Sequence, residues 1–169
     1  MKKIIYLIVS FVFTLCLAAC DPAPYHFDKE HYGKLVDKIE LRYSEITDIP
    51  KNITCDENNV PYFDIQNSKL VECLENDKID VFINDLSVIT FHRFNNCVNS
   101  PFGYIVIMFL TNGNYIIASC SEYENYGYGI FAEFDSNDAY VQCLGDFTHI
   151  YTWEVFLSNH FQSYVFEEK

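Results

Sequence analysis

Between Phe94 and Glu168 the chain carries no lysine and no arginine. Over its whole length 24 acidic residues face 11 basic ones, a formal charge of −13. A surface of that sign repels nucleic-acid phosphates and anionic headgroups, so nucleic acid is excluded as a partner. Glycine is also scarce: the six present do not cluster, and no phosphate-cradling loop forms without such a cluster. The nucleophile elbow, the metalloprotease helix motif and the calcium loop are missing too. No two cysteines stand at the close spacing of a zinc ribbon or a redox dithiol. Past the first twenty residues, no apolar run is long and unbroken enough to span a membrane. Neither metal nor cofactor is expected.

What is present is apolar and aromatic. Half the residues are hydrophobic and 17% are aromatic, which argues for a packed core and against disorder. The first twenty residues are organised differently. Met1-Lys2-Lys3 is a short positive start, Ile4 to Leu15 is apolar but for Ser10 and Thr14, and Leu17-Ala18-Ala19-Cys20 follows. Charge, apolar stretch and small residues make the layout of a secretory signal.

The last four of these residues resemble the lipobox of bacterial lipoproteins. The resemblance implies cleavage between Ala19 and Cys20, diacylation of the Cys20 thiol and acylation of the new amino group. One acyl chain binds a membrane marginally and several bind it stably. The implied location is the extracytoplasmic face of the cell membrane, with the membrane as partner through Cys20. In a two-membrane envelope, Asp21 resembles an inner-membrane retention signal. The plain alternative is an ordinary signal peptide with an incidental cysteine.

The organisation read from this is a signal at 1–19, a lipidated tether at 20–35 and one globular domain at 36–169. The mature chain of about 150 residues suffices for one domain with a real core. Loss of Lys2 and Lys3 takes its charge to about −15, which would steer a basic protein toward it or simply keep it soluble. Of seven cysteines, Cys16 leaves with the signal and Cys20 is acylated, so Cys55, Cys73, Cys97, Cys120 and Cys143 remain. Export permits disulfides, and an odd count leaves at least one thiol over. A Cys55–Cys73 bridge would pin a polar loop for roughly 3 kcal/mol. The competing reading makes several of the cysteines small core hydrophobes.

Val36–Tyr43 alternates, with Ile39, Leu41 and Tyr43 on one side and Lys38, Glu40 and Arg42 on the other, and predicts a half-buried strand. Short strands are expected at Tyr62–Ile65 and Lys69–Leu74. Asn76 or Asp77 caps a helix that buries Ile79, Phe82, Ile83 and Leu86, and Val88–Phe94 reads as a strand. Tyr104–Leu110 and Tyr115–Cys120 flank Asn112-Gly113, a type I′ turn pair. A two-residue turn there puts Ile105, Ile107 and Phe109 on a face with Ile116, Ala118 and Cys120. Both faces are apolar, so this hairpin belongs mid-sheet. A second hairpin joins Ile130–Phe134 to Ala139–Leu144, with Val141 and Cys143 facing inward. Thr152 caps a last helix that buries Trp153, Phe156, Leu157, His160, Phe161 and Tyr164. The order predicts an α+β fold: a single antiparallel sheet of about five to seven strands with two helices on one face.

Candidate chemistry is sparse. His26, Asp28, Glu30 and His31 could gather a divalent metal, but a solvated tether is the better reading, since ordering it costs entropy. His92 with Cys97, or Cys143 with His149, would need to meet in space to form a thiol–imidazole pair. His160, on an apolar stripe, reads as a core histidine. The segment Glu122-Tyr123-Glu124-Asn125-Tyr126-Gly127-Tyr128 links the two hairpins. Its tyrosines offer rigid contact area for a protein or a sugar, or fold back over the sheet edge. These features favour a non-catalytic interaction domain, in one version an inhibitor or immunity type facing a basic protein. The alternatives are an assembly lipoprotein of the envelope, or an enzyme using Glu122, Glu124 or Asp146 as acid or base.

Overall fold

The structure, a computed structural model, describes residues 24–44, 68–92, 103–123, 126–145 and 150–165. In chain order these form β1 (Pro24–Tyr25), α1 (Lys29–Tyr32), β2 (Val36–Ser44), β3 (Lys69–Leu74), α2 (Asp77–Leu86), β4 (Phe91–His92), β5 (Gly103–Leu110), β6 (Tyr115–Tyr123), β7 (Tyr126–Phe134), β8 (Tyr140–Gly145) and α3 (Ile150–His160). Six strands make one antiparallel sheet in the order β3-β2-β5-β6-β7-β8, and β1 and β4 pair separately. The fold is α+β, as the order of patterns predicts. The apolar hairpin β5–β6 occupies the middle of the sheet, because only central strands bury both faces.

One face of the sheet carries the helices. Ile39, Leu41, Val106, Met108, Ile116, Ala118 and Phe131 pack there with Ile79, Phe82, Ile83 and Leu86 of α2 and Trp153, Phe156, Leu157 and Phe161 of α3. The i, i+3, i+4, i+7 spacing of the α2 residues makes that stripe, and each fully buried apolar side chain stabilises by about 1.5–3 kcal/mol. The opposite face has its own core of Ile105, Ile107, Tyr115, Ile117, Ile130, Ala132 and Phe134, none more than 4% exposed. Lys38, Glu40 and Arg42, expected on a solvent face, share this second buried face through the pairings Lys38↔Phe109, Glu40↔Ile107 and Arg42↔Ile105. Their charges are accommodated by pairing with one another. Lys38 lies 2.8 Å from Glu40, Arg42 also binds Glu40, and the Lys38 ammonium stands 4.4 Å over the Phe109 ring.

The hairpin register differs from expectation by one residue. Phe109 pairs with Tyr115 and Ile107 with Ile117, so the loop has three residues, Thr111 to Gly113. Leu110 N donates to Asn114 O at 2.8 Å and Gly113 N to Leu110 O at 2.9 Å. Asn112 does not form the type I′ pair; its side chain accepts from Asn114 N at 3.0 Å, and Gly113 takes the left-handed position at φ 90°. A three-residue loop closed by such a glycine is the next commonest hairpin. The slip exchanges faces: Ile105 and Ile107 sit with Tyr115 and Ile117, while Ile116, Ala118 and Cys120 go to the helix side.

Other expectations also change. Residues 24–35, assigned to the tether, belong to the domain: Phe27 and Tyr32 are each 3% exposed, with their rings stacked 5.2 Å apart. The aromatic anchors outweigh the prolines and charges that suggested a solvated arm. Of the strand expected over Val88–Phe94, Val88–Thr90 is not extended into a strand and Phe91–His92 form β4 against β1; Arg93 and Phe94 lie outside the described residues. Val141 is 46% exposed, the extra residue at the bulge where Glu133↔Gln142 gives way to Phe134↔Tyr140. Thr152 lies inside α3, which begins at Ile150. Asn76 is the N-cap of α2, but its side chain makes no capping bond. Tyr62–Ile65 lies outside the described residues. No described helix is long and apolar enough to cross a membrane.

Candidate functional site

Sheet geometry gathers tyrosines at one end, where β2 and β6 finish and β3, β5 and β7 begin. Tyr43 and Tyr104 face each other across β2 and β5, their ring centroids 5.1 Å apart and edge to face. Tyr164, just past α3, meets Tyr104 at 4.7 Å. The chain is held there by Ser163 N, which donates to Glu72 Oε2 at 2.7 Å. Tyr43 is 38% exposed, so the result is a partly open aromatic ledge on the helix-bearing face; Leu70, which pairs with Arg42, lies on the other face. Rings held edge to face keep their orientation while offering contact area at small entropy cost.

The tyrosine segment picked out in the sequence ends at this same edge of the sheet. Its backbone continues β6 and β7 in full register, with Ser121↔Tyr128, Glu122↔Gly127 and Tyr123↔Tyr126. It is the outer end of a hairpin rather than a separate linking loop. Glu124 and Asn125 lie outside the described residues. Tyr43, Tyr104 and Tyr164 were missed in the sequence because they come from three distant segments. The available signal was a tyrosine closing the β2 alternation.

Among the described residues two carboxylates are buried, Glu133 and Glu40, and both are satisfied by neighbouring donors. Glu133, 6% exposed, receives Tyr32 Oη at 2.8 Å and Gln142 Nε2 at 2.7 Å on Oε2. Asn114 Nδ2 reaches its Oε1 at 2.7 Å. Burial alone would raise its pKa, but these donors together hold it below the usual carboxylate range. Tyr32 is pushed upward by burial and by the adjacent Glu133, so it stays a neutral donor. Glu40 follows the same logic: burial opposes its charge, but hydrogen bonds and attraction from Lys38 and Arg42 outweigh it and hold the pKa low. Arg42 in turn donates to Ser68 Oγ at 2.8 Å and Ser68 O at 3.1 Å. A carboxylate held low and supplied with donors on both oxygens is a poor general acid and a poor proton acceptor near neutral pH.

The remaining candidates disperse. Asp28 caps α1 by accepting from His31 N at 3.0 Å, and His26 Nδ1 lies 3.0 Å from Ile89 O. Among the described residues no group of three His, Cys, Asp or Glu could hold a metal ion. Cys73 stands as a free thiol among the described residues; Cys55, its expected partner, lies outside them. Burial, then Glu40 and Glu75, push the Cys73 thiol upward. Ala19, Cys20, Cys97, Asp146 and His149 also lie outside. His160 packs on Phe82 and Phe156 and faces Asp85 at 3.3 Å. It borders an open groove of about 250 Å³ between α2 and α3, lined also by Leu74, Lys78, Val81 and Ser158. Burial lowers the His160 pKa, with Asp85 opposing.

Compared with known proteins, the chain matches no family model, no curated protein and no solved structure.

Proposed function

We propose that this protein is a lipid-anchored extracytoplasmic binding domain, held by acyl chains on Cys20, that recognises a protein partner through the tyrosine-bearing end of its sheet. The observation that carries the reading is the partly open ledge of Tyr43, Tyr104 and Tyr164. The use of Glu133 and Glu40 as satisfied structural anions supports a non-catalytic role. The acidic excess supports a basic partner, since complementary charge raises the rate of encounter.

Two measurements test this. Mass spectrometry of the purified native protein is expected to find Cys20 at the mature amino terminus, carrying acyl chains; an intact Met1 or an unmodified Cys20 thiol overturns the anchor. Full-length protein solubilised in detergent is expected to retain a basic envelope protein at low salt. Tyr43→Ala together with Tyr104→Ala should weaken that binding about tenfold or more, as loss of aromatic anchors does at interfaces. Retention unaffected by the double substitution would move the binding surface elsewhere.

A further inference from the structure

We propose that the domain lies directly on the bilayer through the face formed by β1, β4 and the turn before β4, rather than hanging on a flexible arm. The inference rests on the acyl anchor at Cys20 proposed above. By Pro24 the chain is already part of the packed domain: Pro24 pairs with His92 and Tyr25 with Phe91. A Cβ on Gly145 would come within 2.9 Å of Phe91 Cβ and 3.4 Å of the Tyr25 ring, so this ribbon is seated on the end of β8 without slack. Two residues on, His26 is tied to Ile89 O, and Phe27 is buried on Phe131 at 5.7 Å. Only four residue steps separate Cys20 from Pro24, and fully extended they span about 14 Å. The acylated residue therefore brings this face of the domain to the headgroups.

The chemistry of that face agrees. In a chain with 24 acidic residues, neither 22–27 nor 86–92 contains one. The ribbon supplies His26, exposed Thr90 and Val88, and at 75% Val88 is the most exposed large apolar side chain described. A carboxylate-free strip ending in an open valine suits the headgroup region of a membrane, where the strongly acidic remainder does not. The opposite sheet edge, β3, stands five strand spacings from β8, about 24 Å away. Leu70 on that edge therefore stays clear of the lipid.

The test uses full-length acylated protein in phosphatidylcholine vesicles carrying a nitroxide on the headgroup. Val88→Trp and Leu70→Trp each place a reporter at an exposed site, and wild type supplies the background of buried Trp153. Val88→Trp should be quenched at least about twofold more than Leu70→Trp, given their separation across the sheet. Inserting twelve Gly/Ser residues between Asp21 and Pro22 adds a coil of about 19 Å and should erase the difference. Protein that carries its acyl chains and floats with the vesicles, yet shows equal quenching at both sites, overturns this placement and leaves the anchor standing. Protein that lacks acyl chains and fails to float overturns both.

Discussion

Tyr32→Phe removes one hydroxyl and little else. The phenyl ring keeps its stack on Phe27, and both groups that lose a bond keep another. Glu133 Oε2 retains Gln142 at 2.7 Å, and Gln142 Nε2 retains Glu133. No buried group is stranded, so the loss should be that of two hydrogen bonds, Tyr32 Oη to charged Glu133 and Gln142 Nε2 to Tyr32 Oη at 2.9 Å, together about 2–3 kcal/mol. For a domain of this size each kcal/mol moves Tm by about 2–4 °C, so the variant should melt roughly 4–12 °C lower. The chain has a single tryptophan, and Trp153 is 1% exposed, so its fluorescence reports unfolding in urea directly. The effect should depend on pH with a definite sign. The folded pKa of Glu133 lies below the usual range, so its stabilisation is complete above the ordinary glutamate value of about 4.3. It is lost as pH falls through the lower folded value. Once Glu133 is protonated the Tyr32 bond is neutral, worth about 1 kcal/mol, and the cost of the substitution should shrink accordingly. Removing the donor should also move the acid limb of the wild-type profile to higher pH. A cost below about 0.5 kcal/mol at pH 7, or one that grows as pH falls, would refute the account of Glu133 as a satisfied structural anion.

Gly113→Ala tests the hairpin register. A Cβ there meets open space, its nearest contact being Ser136 Cβ at 3.8 Å, so only the φ of 90° resists it. A loss of about 1–2 kcal/mol in urea unfolding is expected; no loss would mean that the three-residue loop is not the native one. His160 should make the domain weaker in mild acid. Its folded pKa is lowered, so its contribution is complete above the ordinary histidine value of about 6.5 and is lost as pH falls through the folded value. Asp85→Asn removes the opposing attraction and should steepen the fall of Tm below neutrality; an unchanged profile would refute the pairing. Cys73 should be recovered alkylated after non-reducing digestion of protein blocked under denaturing conditions, whereas a Cys55–Cys73 peptide in the digest would overturn the free-thiol assignment.

The ledge tyrosines were not expected to meet, and the reason is pairing distance. β2 brings Tyr43 opposite Tyr104 from 61 residues away in sequence, and the turn after α3 adds Tyr164. No local pattern encodes either meeting. The buried carboxylates were hidden for the same reason. Glu133 sits in a strand whose alternation reads as polar-out, yet Tyr32 reaches it from 101 residues away. Residues 24–35 misled because Pro24 and several charges outweigh Phe27 and Tyr32 in composition, while burial of those two rings decides the energy.

The sequence alone determined the main strands β2, β3 and β5 to β8, the helices α2 and α3, and that β5–β6 lies centrally. Periodicity of 2 or 3.6 and runs apolar on both faces are properties of neighbouring residues. It also supplied the signal-like layout and the resemblance to a lipobox on which the anchor proposal stands. Tertiary structure decided the rest: a second buried face, the one-residue slip at Asn112-Gly113, the locked segment from Pro24, and the meeting of Tyr43, Tyr104 and Tyr164. Each is set by which non-local surfaces pack best together. A strand's own alternation is equally content with either face turned inward, so only the packed whole chooses between them.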